Sequence, residues 1–436
     1  MQLSHNQQFT ERRPNPFNSL TPNPFSSLTP NPYPLPPRLQ MSSKTQQWLQ
    51  LLSLTLAHAV ADTYVGIIAP VLVPMQAHYK VSLSLLIVIS SMMGFCANVF
   101  QVPIGHFRAT WHTPLLIAMG VLLAGLAVFI PNLPAGPLAL SGMVAIAVIA
   151  GFGVATVHPE GLRAVHGLDR ISPSLSTAVF MVAGFCGFAT GAVLSSALTE
   201  YFGLSSIRWL YLAAPLAIIP LLLTKIRLHI DTRKAEDEPE VSSEIPSVPF
   251  IPLLLMAAIL ATCSAVQATL LPTYLYKEAG YSLSFSGLSF TLFGVGGVAG
   301  AITWGALAPR IGHLKLLIIG SLLGAPLTAL YLWLAPQSKL AVILLIFTAF
   351  IVYTGFPLCV TLARYARSSL HFSQRIGLIS GATWGIAAVF IWILSPISAR
   401  TGFGPLLHLI WIGYLIACGI AFSMLKQQSR NQTELM

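Results

Sequence analysis

The chain has 436 residues, 55% of them hydrophobic and only 8% charged, with 23 Lys and Arg against 13 Asp and Glu and a formal net charge of +10. Soluble proteins carry about 25% charged residues, so these charges cannot cover soluble domains of this total length. A mean hydropathy of +0.75 points instead to an all-α membrane protein that crosses the bilayer many times.

The first 40 residues stand apart. They hold a near-repeat, NPFNSLTP (15–22), NPFSSLTP (23–30) and then NPYPLP, whose prolines and short polar residues cannot pack a core. No apolar h-region precedes a cleavage site, so a signal peptide is not expected. Two readings stay open: a start codon placed too early, with Met41 the true start, or a disordered Pro/Ser/Asn-rich tail over 1–45. Neither carries a function.

From there twelve apolar runs follow, each near the 20 residues that a spanning helix needs. Six cover roughly 48–75, 84–106, 112–131, 137–158, 173–199 and 207–224, and six more cover 249–276, 284–308, 313–335, 339–363, 375–398 and 403–425. The polar stretch between them, KIRLHIDTRKAEDEPEVSSEIPSV (225–248), has the composition of a solvated linker. The expected organisation is an N-terminal six-helix bundle (46–224), a cytoplasmic linker (225–248), a C-terminal six-helix bundle (249–425) and a cytoplasmic tail (426–436). With both termini in the cytoplasm, 18 of the Lys and Arg residues fall inside and 5 outside, as the positive-inside rule requires. The net charge is thereby read as topology and contact with anionic lipid, and no nucleic-acid partner is expected. The location implied is the cell (inner) membrane, multi-pass.

Enzyme and metal motifs are absent from the sequence. There is no HExxH, Walker loop or paired CxxC, and Cys96, Cys186, Cys263, Cys359 and Cys418 all lie in apolar runs. No cofactor and no metal are expected, and no disulfide framework.

In the first span, His58 and Asp62 are one helical turn apart and share a face. An acid at a helix centre in the bilayer costs roughly 2.5–3.5 kcal/mol on insertion scales, and Asp62 is read as the only acid well inside a span. Burial and a neighbouring imidazolium act on such a carboxyl in opposite senses, the chemistry expected of a proton-coupling or substrate site. A structural pair that pins the first span to the fourth or fifth is the alternative. At the end of the fourth span, His158, Pro159, Glu160 and Arg163 form a candidate cytoplasmic gate, with Glu160 and Arg163 three residues apart on one face. The rival is a solvated ion pair at a helix end, worth little. Arg364 and Arg367, at the equivalent place after the tenth span, are candidate partners for Glu160 across the halves. Gly187 and Gly191, and Gly296 and Gly300, have GxxxG spacing and are read as helix-packing positions. Asn98, Gln101, Gln267, Tyr274, Tyr353 and Trp384 are weaker candidates for the pathway, and Glu200 and Glu278 are read as solvated outer residues.

The halves correspond at an offset near 200 residues, the layout of many secondary transporters, whose substrate sits near the midplane between repeats. The stretch GALAPRIGHLK (305–315) resembles the signature loop of the major facilitator superfamily through Gly305, Arg310, Gly312 and Lys315, with Gly105 in the first-half copy. Pro309 occupies the position of that signature's aspartate. Three further stretches resemble the fosmidomycin-resistance family of bacterial efflux proteins. These are LAHAVAD (56–62), GFGVATVHPEGLRAV (151–165) and FMVAGFCGFATG (180–191), matching at His58, Asp62, His158, Pro159, Glu160, Arg163, Phe180, Gly184, Gly187 and Gly191. Polar positions of that family fall here on Met181 and Phe185. The resemblance implies a monomeric transporter of the major facilitator type, moving a small-molecule substrate against protons by alternating access, with export as the expected direction. Proton-coupled uptake of a sugar or carboxylate, or a membrane receptor without transport, remain as alternatives.

Overall fold

The computed structural model describes residues 43–101, 103–104, 114–226, 248–353, 355–370 and 372–433. The tail before Ser43, Gly105 and the middle of the linker lie outside the described residues. Those described are almost wholly helical and contain no strand, only a single isolated bridge between Pro249 and Arg367.

Twelve apolar helical segments follow one another. They are α1 Lys44–Tyr79, α2 Leu83–Val99, α3 Leu115–Asn132, α4 Ala139–His166, α5 Pro173–Phe202, α6 Leu204–Leu223, α7 Phe250–Lys277, α8 Leu283–Ile311, α9 His313–Leu334, α10 (Ala341–Val352 continuing as Gly355–Arg364), α11 Leu378–Thr401 and α12 Gly404–Arg430. Eleven are long and apolar enough to cross a membrane, and α2 is shorter over its described residues. Lipid offers no partner for a peptide group, so each segment satisfies its backbone internally.

The helices are interrupted where the sequence forces it. After Gly66, α1 bends through a short 3-10 turn at Ala69–Val71, where Pro70 has no N–H to give. A π turn at Leu378–Ala382 opens α11, and such turns are usually found where a helix is locally re-aimed. Short side-chain caps start other spans, with Ser43, Ser82 and Ser282 each accepting a backbone N–H.

At the ends of the spans Glu200 and Glu278 are exposed, as expected, and each also meets a helix end. Glu200 accepts from the backbone N–H of Ser284 at 2.5 Å, and Glu278 accepts from Phe403 N at 2.6 Å and Gly404 N at 3.0 Å. Each carboxylate therefore sits on the positive end of a neighbouring helix.

Among the described residues two hydrogen-bonded seams join the first six helices to the second six, and the Ala69–Tyr79 part of α1 also packs against α7. In one, α2 meets α11: Ser84 Oγ donates to Ser395 O at 2.8 Å, Ser395 Oγ donates to Ser84 O at 2.6 Å, and Trp392 Nε1 donates to Ser91 Oγ at 2.7 Å. In the other, α5 meets α8, where Thr291 Oγ1 donates to Ala189 O at 2.6 Å beside the Glu200–Ser284 bond. The Ser84–Ser395 and Glu200–Ser284 bonds lie at the N-terminal ends of α2 and α8, and the Trp392–Ser91 and Thr291–Ala189 bonds lie about two turns further along those helices.

Candidate functional site

The site is built on α1, α4 and α5. His58 and Asp62 lie one turn apart on α1, and His158 reaches them from α4. His58 Nε2 is 3.3 Å from Asp62 Oδ2, and His158 Nε2 is 3.5 Å from Asp62 Oδ1. The two imidazoles meet edge to face, with centroids 4.8 Å apart and planes at 84°. The Phe180 ring stacks on His58 at 4.1 Å and forms a dry wall behind it.

Backbone carbonyls fix the tautomers. His58 Nδ1 is 2.8 Å from Phe180 O, and His158 Nδ1 is 3.0 Å from Val154 O. A carbonyl can only accept, so each Nδ1 carries hydrogen and donates it. Both Nε2 atoms are thus left to face the carboxylate. In neutral rings they present lone pairs to a negative group, which repels them. A positive centre between them turns that repulsion into attraction.

Access is graded. His58 is buried, with 1% of its side chain exposed, while Asp62 and His158 keep 16% and 22%. From the second half, the Tyr353 ring packs edge-on against Phe185 of α5 at 5.4 Å.

Glycine makes room for this set. A Cβ built at Gly184 would stand 2.4 Å from His58 Cε1, 2.5 Å from Asp62 Oδ2 and 2.6 Å from His58 Nε2. The next two glycines of α5 touch the α1 backbone directly: a Cβ would lie 2.0 Å from Ala59 O at Gly187 and 2.2 Å from Thr63 O at Gly191. On α8 the same geometry recurs against α10, with Gly296 opposite Ile346 O at 2.4 Å and Gly300 opposite Phe350 O at 2.1 Å.

The expectation for the fourth span needs correcting. Its helix does not end near His158 but runs to His166, so Pro159 stands inside it and leaves the Ala155 carbonyl without its helical donor. Glu160 is completely buried, not solvated, and Arg163 Nη1 donates to its Oε1 at 2.9 Å. Asp62 is therefore not the only acid inside a span. His158, grouped by sequence with Glu160 and Arg163, turns instead toward Asp62. One turn of α4 thus serves two places.

The remaining expected residues are scattered. Arg310 ends α8 and Lys315 lies in the first turn of α9, both exposed. Between them Gly312 has φ +101°, a conformation that side chains rarely adopt. Gly305 has open space around it. Gly105 and the Arg364 side chain lie outside the described residues. Asn98 and Gln101 donate to carbonyls of their own helix, Gly94 O and Ala97 O. Gln267 of α7 is buried, and its Oε1 meets no donor among the described residues.

A family model described as Major Facilitator Superfamily matches residues 54–364. The chain belongs to the Major Facilitator Superfamily. This superfamily member is similar to the fosmidomycin resistance protein of Escherichia coli (strain K12), at 24% identity over 351 residues, covering 77% of this chain and 82% of the relative. Among solved structures it is similar to a bacterial homolog of the human lysosomal transporter Spinster in an inward-facing, unoccupied conformation. That match has a TM-score of 0.64 and 13% identity, and covers 88% of this chain and 99% of the other. It is also similar to a mutant of the peptide transporter POT, with a TM-score of 0.65, 15% identity and coverage of 87% and 95%. Likenesses at such identities show the fold alone. Family and fold together make the protein a multi-pass membrane transporter and not an enzyme.

Proposed function

We propose that this Major Facilitator Superfamily protein is a proton-coupled secondary transporter that exports a small organic molecule by alternating access, with Asp62 as proton carrier and His58 and His158 as its partners. One observation carries the reading. Two histidines whose Nδ1 atoms are committed to carbonyls aim both Nε2 atoms at one carboxylate inside the helix bundle. The set changes from repulsive to attractive with a single proton, and buried ionisable groups in membrane helices mark ion and substrate pathways. Export is supported by the similarity to the fosmidomycin resistance protein. Both termini are placed in the cytoplasm by the Lys and Arg bias, in a cell (inner) membrane, with the monomer as the working unit. In that orientation the seams between the halves close the outer side, and the buried Glu160–Arg163 pair lies toward the cytoplasm as a gate element.

The test is transport by purified protein in liposomes under an imposed pH gradient, with a pH-sensitive dye inside and a panel of amphipathic drugs, sugars and small acids. Substrate-dependent proton movement by the wild type, abolished in Asp62→Asn, supports the reading. Equal proton movement by both proteins moves the coupling to Glu160. Proton and substrate travelling in the same direction would replace export by uptake.

A further inference from the structure

We infer that His58, Asp62 and His158 form a binding site for a divalent transition-metal ion of zinc-like preference, with three protein donors and a fourth position open to solvent or to an oxygen donor on a ligand. The donor set is a borderline one, two imidazoles and a carboxylate, which suits zinc and its neighbours better than magnesium or calcium. One donor atom from each residue lies within 4.8 Å of the others.

The three donors stand close enough for small side-chain rotations to close them on such an ion. Zinc takes imidazole nitrogen at about 2.0–2.1 Å and carboxylate oxygen at about 2.0–2.2 Å in tetrahedral geometry, which sets neighbouring donors about 3.4 Å apart. His58 Nε2 is 3.3 Å from Asp62 Oδ2 and His158 Nε2 is 3.5 Å from Asp62 Oδ1, so each imidazole meets a different carboxylate oxygen, and one donor atom from each residue lies within 4.8 Å of the others. Three donors with a position left over is the pattern of an open site, not of a closed structural one.

The surroundings also fit. Metal-binding histidines usually donate the other ring N–H to a carbonyl or carboxylate, which fixes the tautomer and aims the lone pair. Both rings here do so, to Phe180 O and Val154 O. His58 Nε2 is fully buried and makes no hydrogen bond among the described residues. Gly184 leaves free the space that a Cβ would fill against two of the three donors. The partial exposure of Asp62 and His158 supplies an entry path and the fourth position.

This site does not depend on the proposed proton coupling, and the experiment needs neither a gradient nor a transported substrate. Purified full-length protein in detergent at neutral pH would be titrated with zinc chloride by calorimetry and by thermal unfolding, and with cobalt chloride by visible absorption. The expected result is one zinc per chain with a raised Tm, and intense tetrahedral cobalt bands. His58→Ala and His158→Ala should each weaken binding at least tenfold, and His408→Ala, on an exposed face of α12, should leave it unchanged. Absence of saturable zinc binding by the wild type would overturn the site. So would binding that survives in a His58→Ala, His158→Ala double variant. Should the single variants fail to fold, X-ray absorption of the zinc-loaded wild type decides: two imidazole nitrogens and a carboxylate oxygen support the site, and any other protein ligand set overturns it.

Discussion

At the scale of single residues, an aspartate in a membrane helix is expensive, and its cost has to be offset by what surrounds it. Asp62 has two imidazoles within 3.5 Å, held there by carbonyls on α4 and α5. The most economical probe of that arrangement is the residue with no side chain. A methyl group at Gly184 would fall within 2.6 Å of His58 and Asp62, and a forced shift of this kind costs about 1–3 kcal/mol. Gly184→Ala should therefore reduce transport, and weaken zinc binding, more than it lowers Tm. Wild-type transport and zinc affinity in this variant would show that the donors have room to shift away from α5.

Elements differ in how closely their backbones approach. Gly187 and Gly191 bring α5 onto carbonyls of α1, and Gly296 and Gly300 bring α8 onto carbonyls of α10. In lipid, where burial of apolar surface contributes little between helices, such close packing holds spans together. A branched side chain cannot be accommodated by rotamer change when the obstacle is backbone. Gly187→Val should lower the Tm of the purified protein and its yield, and Gly305→Val, which meets open space, should do neither. If Gly187→Val melts with the wild type, α1 and α5 have room to part without loss of stability. The stretch from His158 to Arg163 shows a second property of elements. A helix that continues through a proline sends residues two apart, His158 and Glu160, to different surroundings, one toward Asp62 and the other into complete burial.

On the scale of the whole molecule, the hydrogen bonds between the halves among the described residues gather on the α2–α11 and α5–α8 seams. Alternating access requires these to separate once per cycle. In a background with the five native cysteines replaced, Ser84→Cys with Ser395→Cys should form a cross-link on oxidation. Transport should then stop and return with a reductant. Full transport by the cross-linked protein would mean that this seam never opens, and would move the outer gate elsewhere. The Tyr353–Phe185 contact joins the second half to α5 one residue from Gly184, which packs on His58 and Asp62.

Much of this was legible from the sequence, for identifiable reasons. The spans follow from bilayer thickness, which asks for about 20 apolar residues whatever their partners, and most of their predicted limits fall close to the helices described, the fourth excepted, which runs on to His166. The superfamily was legible in GALAPRIGHLK, where Gly312 occupies a backbone conformation suited to glycine. His58 and Asp62 were legible because both lie on one turn of one helix, so local geometry alone pairs them. What the sequence could not decide is which groups meet between helices. Nothing in the spacing of residues joins His158 to Asp62 or aims both imidazoles at one carboxylate, and no linear metal motif is present. Nor does spacing reveal that Glu160 is buried, since burial depends on which helices cover that turn of α4. Composition and periodicity determine that this chain crosses a membrane many times, in helical segments of about 20 apolar residues. The rotation and approach of those segments, set by packing in three dimensions, decide what chemistry its core can perform.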